Sequence, residues 1–462
     1  MHRQQGDSPH SVIGKILIQS SDPRLDQGIA WAKEQALHYV FDGDPVGKWY
    51  EAALPGRESF CVRDLAHQSS GAYMLGLKDH TKNMLHKFAQ HISEARDWCT
   101  YWEMNRYNQP TPVDYTDDSD FWYNLPANFD FLYCCFREYL RTGDEDYVSH
   151  PDFVHFYEKT INDYIKVWDK DGDGMPEHYA KYGRRGIASY VEDGHHPLIA
   201  GDLLAAQYAA FVAYAEMMRW SGRDGEANHW KDKADWIQHE YELAWWNKEA
   251  NRFYGCQLQD RSFYTEFYQS ANYMPLYFGM IKDSRKLQLA LEDAIRYERY
   301  NVEEKSHLPE ICFAYGYREE GYRQLLQLTD EKLHRREYPE VSFAVMGAVF
   351  TGLLGIRLNT RENSITTLPG LPDALDYVQA GNIPLFQGDV DLKHTGSHVT
   401  ELSNWSHQTI QWRATFPGEH NKLYINGKET IPSYEQDWNG NIHSFINVWL
   451  QDGDTIQVKC FP

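Results

Sequence analysis

The stretch "SYVEDGHHPLIAGDLLAAQYAAF", Ser189 to Phe211, joins two textures. Its first half carries adjacent carboxylates, Glu192 and Asp193, then a glycine and two histidines, His195 and His196. Its second half is apolar. From Leu203 to Arg219 the residues Leu204, Tyr208, Phe211, Ala215 and Met218 recur at spacings of four and three. That is the period of a buried helix face. A polar connection that feeds directly into a buried helix is either a salt-bridge knot, with Arg184 or Arg185 as partner, or one wall of a chemical mouth.

The same texture extends outward. From about residue 24 to 355 helical segments alternate with loops rich in Gly, Pro, Asp and aromatics. Met346, Val349, Phe350, Leu353 and Leu354 repeat the buried-face spacing. Further helices are expected over 24–40, 64–92, 130–141, 151–167, 226–246, 265–280, 284–297 and 314–328. After about residue 364 the pattern alternates, as in "QTIQWRATF". Asn426-Gly427 between two strand-like runs signals a hairpin. The expected organisation is an N-terminal extension (1–23), a helical domain (24–360) of roughly ten to twelve helices, and a small C-terminal β-sandwich domain (361–462). No repeat of solenoid length is present, so the fold class is mainly α, an (α/α)6 toroid of helical hairpins followed by the β domain.

Composition narrows the partners. Lys plus Arg number 45 against 67 Asp plus Glu, a net charge of −22. Nucleic acid and anionic membrane surfaces are poor partners for such a chain. No apolar run is long enough to span a bilayer. The 15 Trp and 32 Tyr exceed what a core needs and suit a wet, carbohydrate-like ligand. Seven cysteines without CxxC spacing read as reduced thiols, and the opening residues lack the apolar core of a signal peptide, so a cytoplasmic location is expected.

Polar residues gather in every second connection. Arg63 and Asp64 open a helix, where Asp64 can cap the helix or form with Arg63 a fork for two sugar hydroxyls. "EMNRYNQPTPVDYTDDSDFWYNLPANFDF" brings Tyr123, Asn128 and Asp130. In "DKDGDGMPEHYA", Asp169, Asp171 and Asp173 fit a partial calcium set, but the position for a bidentate Glu is Ala180. A turn held by Asx hydrogen bonds is the preferred reading, with no cofactor and no metal required. His195 and His196 are poorly spaced for one zinc ion. Glu310 in "HLPEICF" and Glu340 in "EYPEVSF" each follow a proline and begin an apolar helix. A carboxylate there can serve the helix dipole alone. Placed opposite Glu192, it can also complete the carboxylate pair that glycoside hydrolysis requires.

On these residues the chain resembles the six-hairpin glycosidases, over about residues 24 to 462. "CVRDLAHQ" resembles the Arg-Asp sugar clamp of glucoamylase-like enzymes, on Arg63 and Asp64. "WDKDGDGMPE" followed by "AGDLLAAQYAA" is similar to a loop and helix of the glucosylceramidase-like and glucosidase relatives. "SYVEDG" then matches the place of their catalytic acid, on Glu192 or Asp193. "YPEVSFAVMGAVFTGLLGI" and "ITTLPGLPDALDYVQAGNIPLFQGDVDL" resemble the end of the barrel and the β domain of α-L-rhamnosidases, where the base is a late Glu. That implies Glu340, with Glu310 next. Most of those families carry a large β-sandwich before the barrel, and no stretch here matches the full rhamnosidase acid motif. The resemblance implies an exo-acting, inverting O-glycoside hydrolase for a small oligosaccharide or glycoside. Arg63, Asp64, Tyr123, Asn128, Asp130, His195 and His307 would hold the terminal sugar. A polysaccharide lyase and a non-catalytic carbohydrate-binding protein are the alternatives.

Overall fold

The computed structural model describes residues 13–192 and 195–461. Among them are twelve helices of seven residues or more. They are α1 (Pro23–His38), α2 (Val62–Met74), α3 (Lys78–Ala89), α4 (Pro126–Thr142), α5 (Pro151–Glu158), α6 (Gly201–Trp220), α7 (Asp224–Ala244), α8 (Ser270–Tyr277), α9 (Ser284–Arg296), α10 (Leu308–Ala314), α11 (Arg318–Leu328) and α12 (Pro339–Ala348). Helix α5 runs on through a wide turn to Trp168, and α12 through another to Leu353.

The even-numbered helices are the buried set. Helix α6 is covered along nearly its whole length, and α12 is buried at nine of its ten residues. Helices so apolar on every side must be surrounded by protein. Helix α9 instead buries only Leu287, Ala290, Leu291 and Ala294, the single stripe of a surface helix. Contacts run from α2 to α4, α4 to α6, α6 to α8, α8 to α10, α10 to α12 and α12 back to α2. The odd-numbered helices lie against them: α1 on α12, α3 on α2, α7 on α6, α9 on α8 and α11 on α10.

The α2–α12 contact is the tightest. A Cβ at Gly71 would lie 2.0 Å from the Phe343 carbonyl oxygen. One at Gly347 would lie 3.4 Å from the Gly71 nitrogen. Glycine on both helices lets the two backbones touch, and their first turns stay close as a result.

The expected helix over 64–92 is two helices. The chain turns at Gly76, whose φ of 80° is the left-handed conformation that favours glycine. The segment before 314–328 holds a separate helix, α10, begun by Pro309.

The C-terminal region is two sheets. The strands are β1 (Leu17–Ser20), β2 (Ile356–Asn359), β3 (Ser364–Thr367), β4 (Tyr377–Leu385), β5 (Gly388–Thr395), β6 (Val399–Trp405), β7 (Ile410–Pro417), β8 (Leu423–Ile425), β9 (Lys428–Thr430), β10 (Ser433–Gln436), β11 (Ile442–Leu450) and β12 (Thr455–Cys460). One sheet has the order β1–β4–β5–β6–β12–β8–β9, the other β2–β3–β7–β11–β10. Only β3 and β7 pair in parallel. Inward residues alternate along β6, as period-two strands require. Asn426 and Gly427, both at positive φ, turn β8 into β9 with Ile425 opposite Lys428. The stretch read from sequence as an N-terminal extension contributes β1, which pairs with β4 at Leu17–Gly381. Its residues before Ile13 lie outside the described ones.

A methyl group at Gly71 must push the Phe343 backbone away. Gly71→Ala is expected to cost about 3 kcal/mol of unfolding free energy in urea titration. A loss under about 0.5 kcal/mol would mean that α2 and α12 do not touch as described.

Candidate active site

A cavity of about 450 Å³ lies where the first turns of α2, α8, α10 and α12 meet. Arg63 and Asp64 come from the first turn of α2, Ser270 from α8, Glu310 from α10 and Glu340 from α12. Each first turn has unpaired N–H groups and a partial positive charge, which favour carboxylates there. Six carboxylates line the cavity: Asp64, Glu192, Glu303, Glu304, Glu310 and Glu340. Among the described lining residues Arg63 is the one arginine, and no lysine joins it.

Arg63 ties the two walls together. Its Nε donates to Asp64 Oδ1 at 2.8 Å, and its Nη1 to Glu192 Oε1 at 3.4 Å. The guanidinium packs between the rings of Trp102 and Tyr190, 5.5 Å from each centroid. Glu192 is at the rim, its side chain 50% exposed. Asp64 and Glu340 form the deep side, at 5% and 8% exposure. Burial pushes the Glu340 carboxyl well above its usual range. The negative charges of Asp64 and Glu303 add to the shift, Arg63 opposes it, and Asp64 lies within hydrogen-bonding reach. Burial and the neighbouring acids together favour the protonated form of Glu340. Glu303 is raised too, again chiefly by burial.

Behind this wall, His67 Nε2 meets the fully buried Asp130 Oδ2 at 2.6 Å, and the Tyr190 hydroxyl donates to the same oxygen at 2.8 Å. His67 Nδ1 faces His307 Nε2 at 3.0 Å. His307 Nδ1 lies 3.2 Å from the Glu303 carbonyl, an acceptor, so this nitrogen carries the proton there. His307 is neutral because burial, then His67 and Arg63, holds it well below its usual value. Its Nε2 is then the acceptor that faces His67 Nδ1, and His67 Nε2 is turned to Asp130.

Asp202 anchors the opening stretch. Its Oδ2 accepts from the Ser189 hydroxyl and the Tyr190 N–H, each at 2.8 Å, and from the Ser270 hydroxyl at 3.1 Å. Burial raises its carboxyl to about 6, against the pull of these bonds. Ser189 and Tyr190 are thereby fixed to the first turns of α6 and α8.

The structure thus brings Arg63, Asp64, Glu192, Glu310, Glu340 and His307 to one cavity, with Asp130 one layer behind. It does not bring Tyr123 and Asn128 there. Both are fully buried, Tyr123 donating its hydroxyl to Asn128 while the Asn128 amide donates to the Trp98 carbonyl. The neighbouring Trp122 lines the cavity instead. His195 is exposed beside Tyr264 and is not a lining residue. Asp193 lies outside the described residues. Glu310 lines the cavity but accepts from Thr351 at 3.1 Å and also borders a second cavity beside Arg137.

The carboxylates gathered within reach of one ion in the "DKDGDG" loop are Asp169, Asp171 and Glu177, not Asp173. Asp169 accepts from the N–H groups of Gly172 and Gly174, as the Asx reading expects. Arg261 meets Asp171 at 3.0 Å and Glu177 at 3.1 Å, supplying positive charge at that point. The acidic loop around Asp120 is likewise spent on structure: Asp120 pairs with Arg184 and Asp118 with Arg96.

Glu303 and Gln68 are two of the lining residues that the sequence reading does not single out. Glu303 sits beside Glu304, which closes a capping box with Asn301. Of two adjacent acids one must cap and the other must face away, and that signal was available. Gln68 follows Asp64 by one helical turn, so it shares the face that carries Asp64.

No family model and no curated protein matches the chain. Solved structures do. A rhamnosidase of family GH78 from Bacillus sp. GL1 aligns at a TM-score of 0.60 and 11% identity, over 84% of this chain and 40% of that one. The α-L-rhamnosidase of Dictyoglumus thermophilum gives 0.62 and 14%, over 96% and 50%. A putative kojibiose phosphorylase from human microbiome gives 0.59 and 10%, over 94% and 63%. The chain therefore spans less than two thirds of each of these proteins. At such identity the likeness is one of fold: the chain is folded like parts of these rhamnosidases and of the phosphorylase.

A carboxyl that keeps its proton in the folded state but loses it on unfolding makes stability fall as pH rises. Glu340 is such a group, with its folded value above its unfolded one. Its contribution is intact below the ordinary carboxylate range and is lost as pH climbs toward the folded value. Glu340→Gln removes that slope. The variant should match the parent near pH 4 and exceed it in stability at pH 7 in denaturant titrations. A variant less stable than the parent at pH 7 would show that Glu340 is ionised and paired.

Proposed function

We propose that the chain is an exo-acting, inverting O-glycoside hydrolase. In this reading its twelve helices form an (α/α)6 toroid, the even-numbered ones inside, with the C-terminal sheets as a β-sandwich. The observation that carries the reading is the buried carboxyl pair Asp64–Glu340 at the deep side of a cavity whose rim carries Glu192. The likeness to rhamnosidases and to a kojibiose phosphorylase supports a carbohydrate substrate.

A pocket with a buried floor and an exposed rim takes a sugar end-on. The terminal residue lies on the floor and the leaving group points out through the mouth. The acid then belongs at the rim and the base beneath the anomeric carbon. Glu192, or Asp193 beside it, gives its proton to the leaving oxygen as the glycosidic bond breaks. Glu340 takes a proton from the water whose oxygen attacks the opposite face. To act so, Glu340 must first pass its own proton to Asp64, its hydrogen-bonding neighbour. A protonated Asp64 can then donate to a sugar hydroxyl. Trp122 offers a ring face to the sugar.

A lyase acting on a uronate needs a cation to neutralise the carboxylate. Arg63 is already engaged by Asp64 and Glu192, and six carboxylates around it would repel a uronate. A neutral glycoside fits this field better.

A panel of aryl glycosides and neutral or unsaturated oligosaccharides tests the reading. Glu192→Gln and Glu340→Gln should each lower kcat by about 10²-fold or more, and the first product seen by NMR should have the opposite anomeric configuration to the substrate. An ultraviolet-absorbing unsaturated product, or two variants as active as the parent, would contradict it.

A further inference from the structure

Gln68 stands one turn below Asp64 on α2 and lines the same cavity. Its side chain is 2% exposed, yet neither Oε1 nor Nε2 has a hydrogen-bond partner among the described residues. The Glu340 Oε2 atom, lining the same cavity, is in the same condition. Buried amides are almost always paired, because an unpaired one forfeits its hydration with no return. Two unpaired groups facing one cavity mark the place where a ligand completes the hydrogen bonding. The neighbouring polar side chains are already committed. Asp64 is held by Arg63, and His67 by Asp130 and His307.

A primary amide presents one acceptor and two donors in a plane. Its complement is a pair of adjacent hydroxyls, one donating to Oε1 and the other accepting from Nε2. We infer that Gln68 is a specificity-determining residue that reads a vicinal diol on the buried end of the terminal sugar, with Glu340 Oε2 free for the attacking water or a third hydroxyl. The inference rests on the glycosidase reading above and narrows its substrate class. The inner sugar is neutral and carries two free neighbouring hydroxyls; a deoxy or O-methylated sugar at that edge leaves the amide unpaired. A site built to hydrogen-bond a hydroxyl discriminates strongly against the analogue that lacks it.

Gln68→Met keeps the volume and removes the orphaned groups. Two readouts with opposite signs follow. The free protein should melt at the same temperature as the parent or higher, because an unpaired buried amide is gone. On the best glycoside found by the panel, kcat/KM should fall by about 10- to 100-fold, mostly through KM. The parent should prefer that glycoside over its monodeoxy analogues, and the variant should lose that preference. A variant that melts clearly lower shows that Gln68 is paired within the protein and overturns the inference. So does an unchanged preference among the analogues in a variant of parental stability. If the parent turns over no glycoside, and no neutral sugar raises its melting temperature, the glycosidase reading itself fails, and the diol site falls with it.

Discussion

The approach of α2 to α12 is the constraint on which the site depends. A hydrogen atom at Gly71 is all that separates one helix from the Phe343 carbonyl of the other. Seven residues before Gly71 is Asp64, and seven before Gly347 is Glu340. Seven residues are about two helical turns, so each acid lies on the same face as its glycine. Where the glycines let the backbones meet, the acids must face each other two turns away. The close approach of the two carboxyls follows from helix geometry and does not depend on the loops.

The energetic tension in that pair is shared out among its neighbours. Helix N-termini favour the negative charges, Arg63 links Asp64 to Glu192, and protonation of Glu340 relieves what remains. The wall opposite is fixed by a different device. Asp202, fully buried, holds Ser189 and Tyr190 against Ser270. Behind both, the chain of Asp130, His67 and His307 reaches the backbone of Glu303 and sets where that carboxylate stands. A few buried polar contacts thus place side chains from four of the helices around one cavity.

Much of this could be read from the sequence because burial leaves a period. The apolar spacing of Leu204 to Met218 marks a helix with no exposed face, and Asn426-Gly427 marks a hairpin. Arg63, Asp64, Glu310 and Glu340 are legible because each lies in the first turn of a helix, and Glu192 because it lies in the polar connection that leads to one. Tyr123 and Asn128 misled for the same reason that makes them good core residues. A tyrosine and an asparagine can satisfy each other inside the protein, and the sequence does not say which way a loop residue points. Trp122, one position away, took the cavity. The strand at Leu17–Ser20 was hidden because its partner, β4, lies more than three hundred residues along the chain, where no local pattern reaches. Gln68 was passed over because an amide carries no charge; only its lack of partners distinguishes it.

The most direct test of the central claim is a titration of Glu340 itself. Protein labelled with ¹³C at the glutamate carboxyls is followed by NMR against pH, with Glu340→Gln used to assign the signal. The account predicts one glutamate carboxyl that stays protonated well above the usual carboxylate range and moves down when Asp64 is replaced by Asn. A Glu340 signal that titrates with the exposed glutamates, or that ignores the loss of the Asp64 charge, would contradict it.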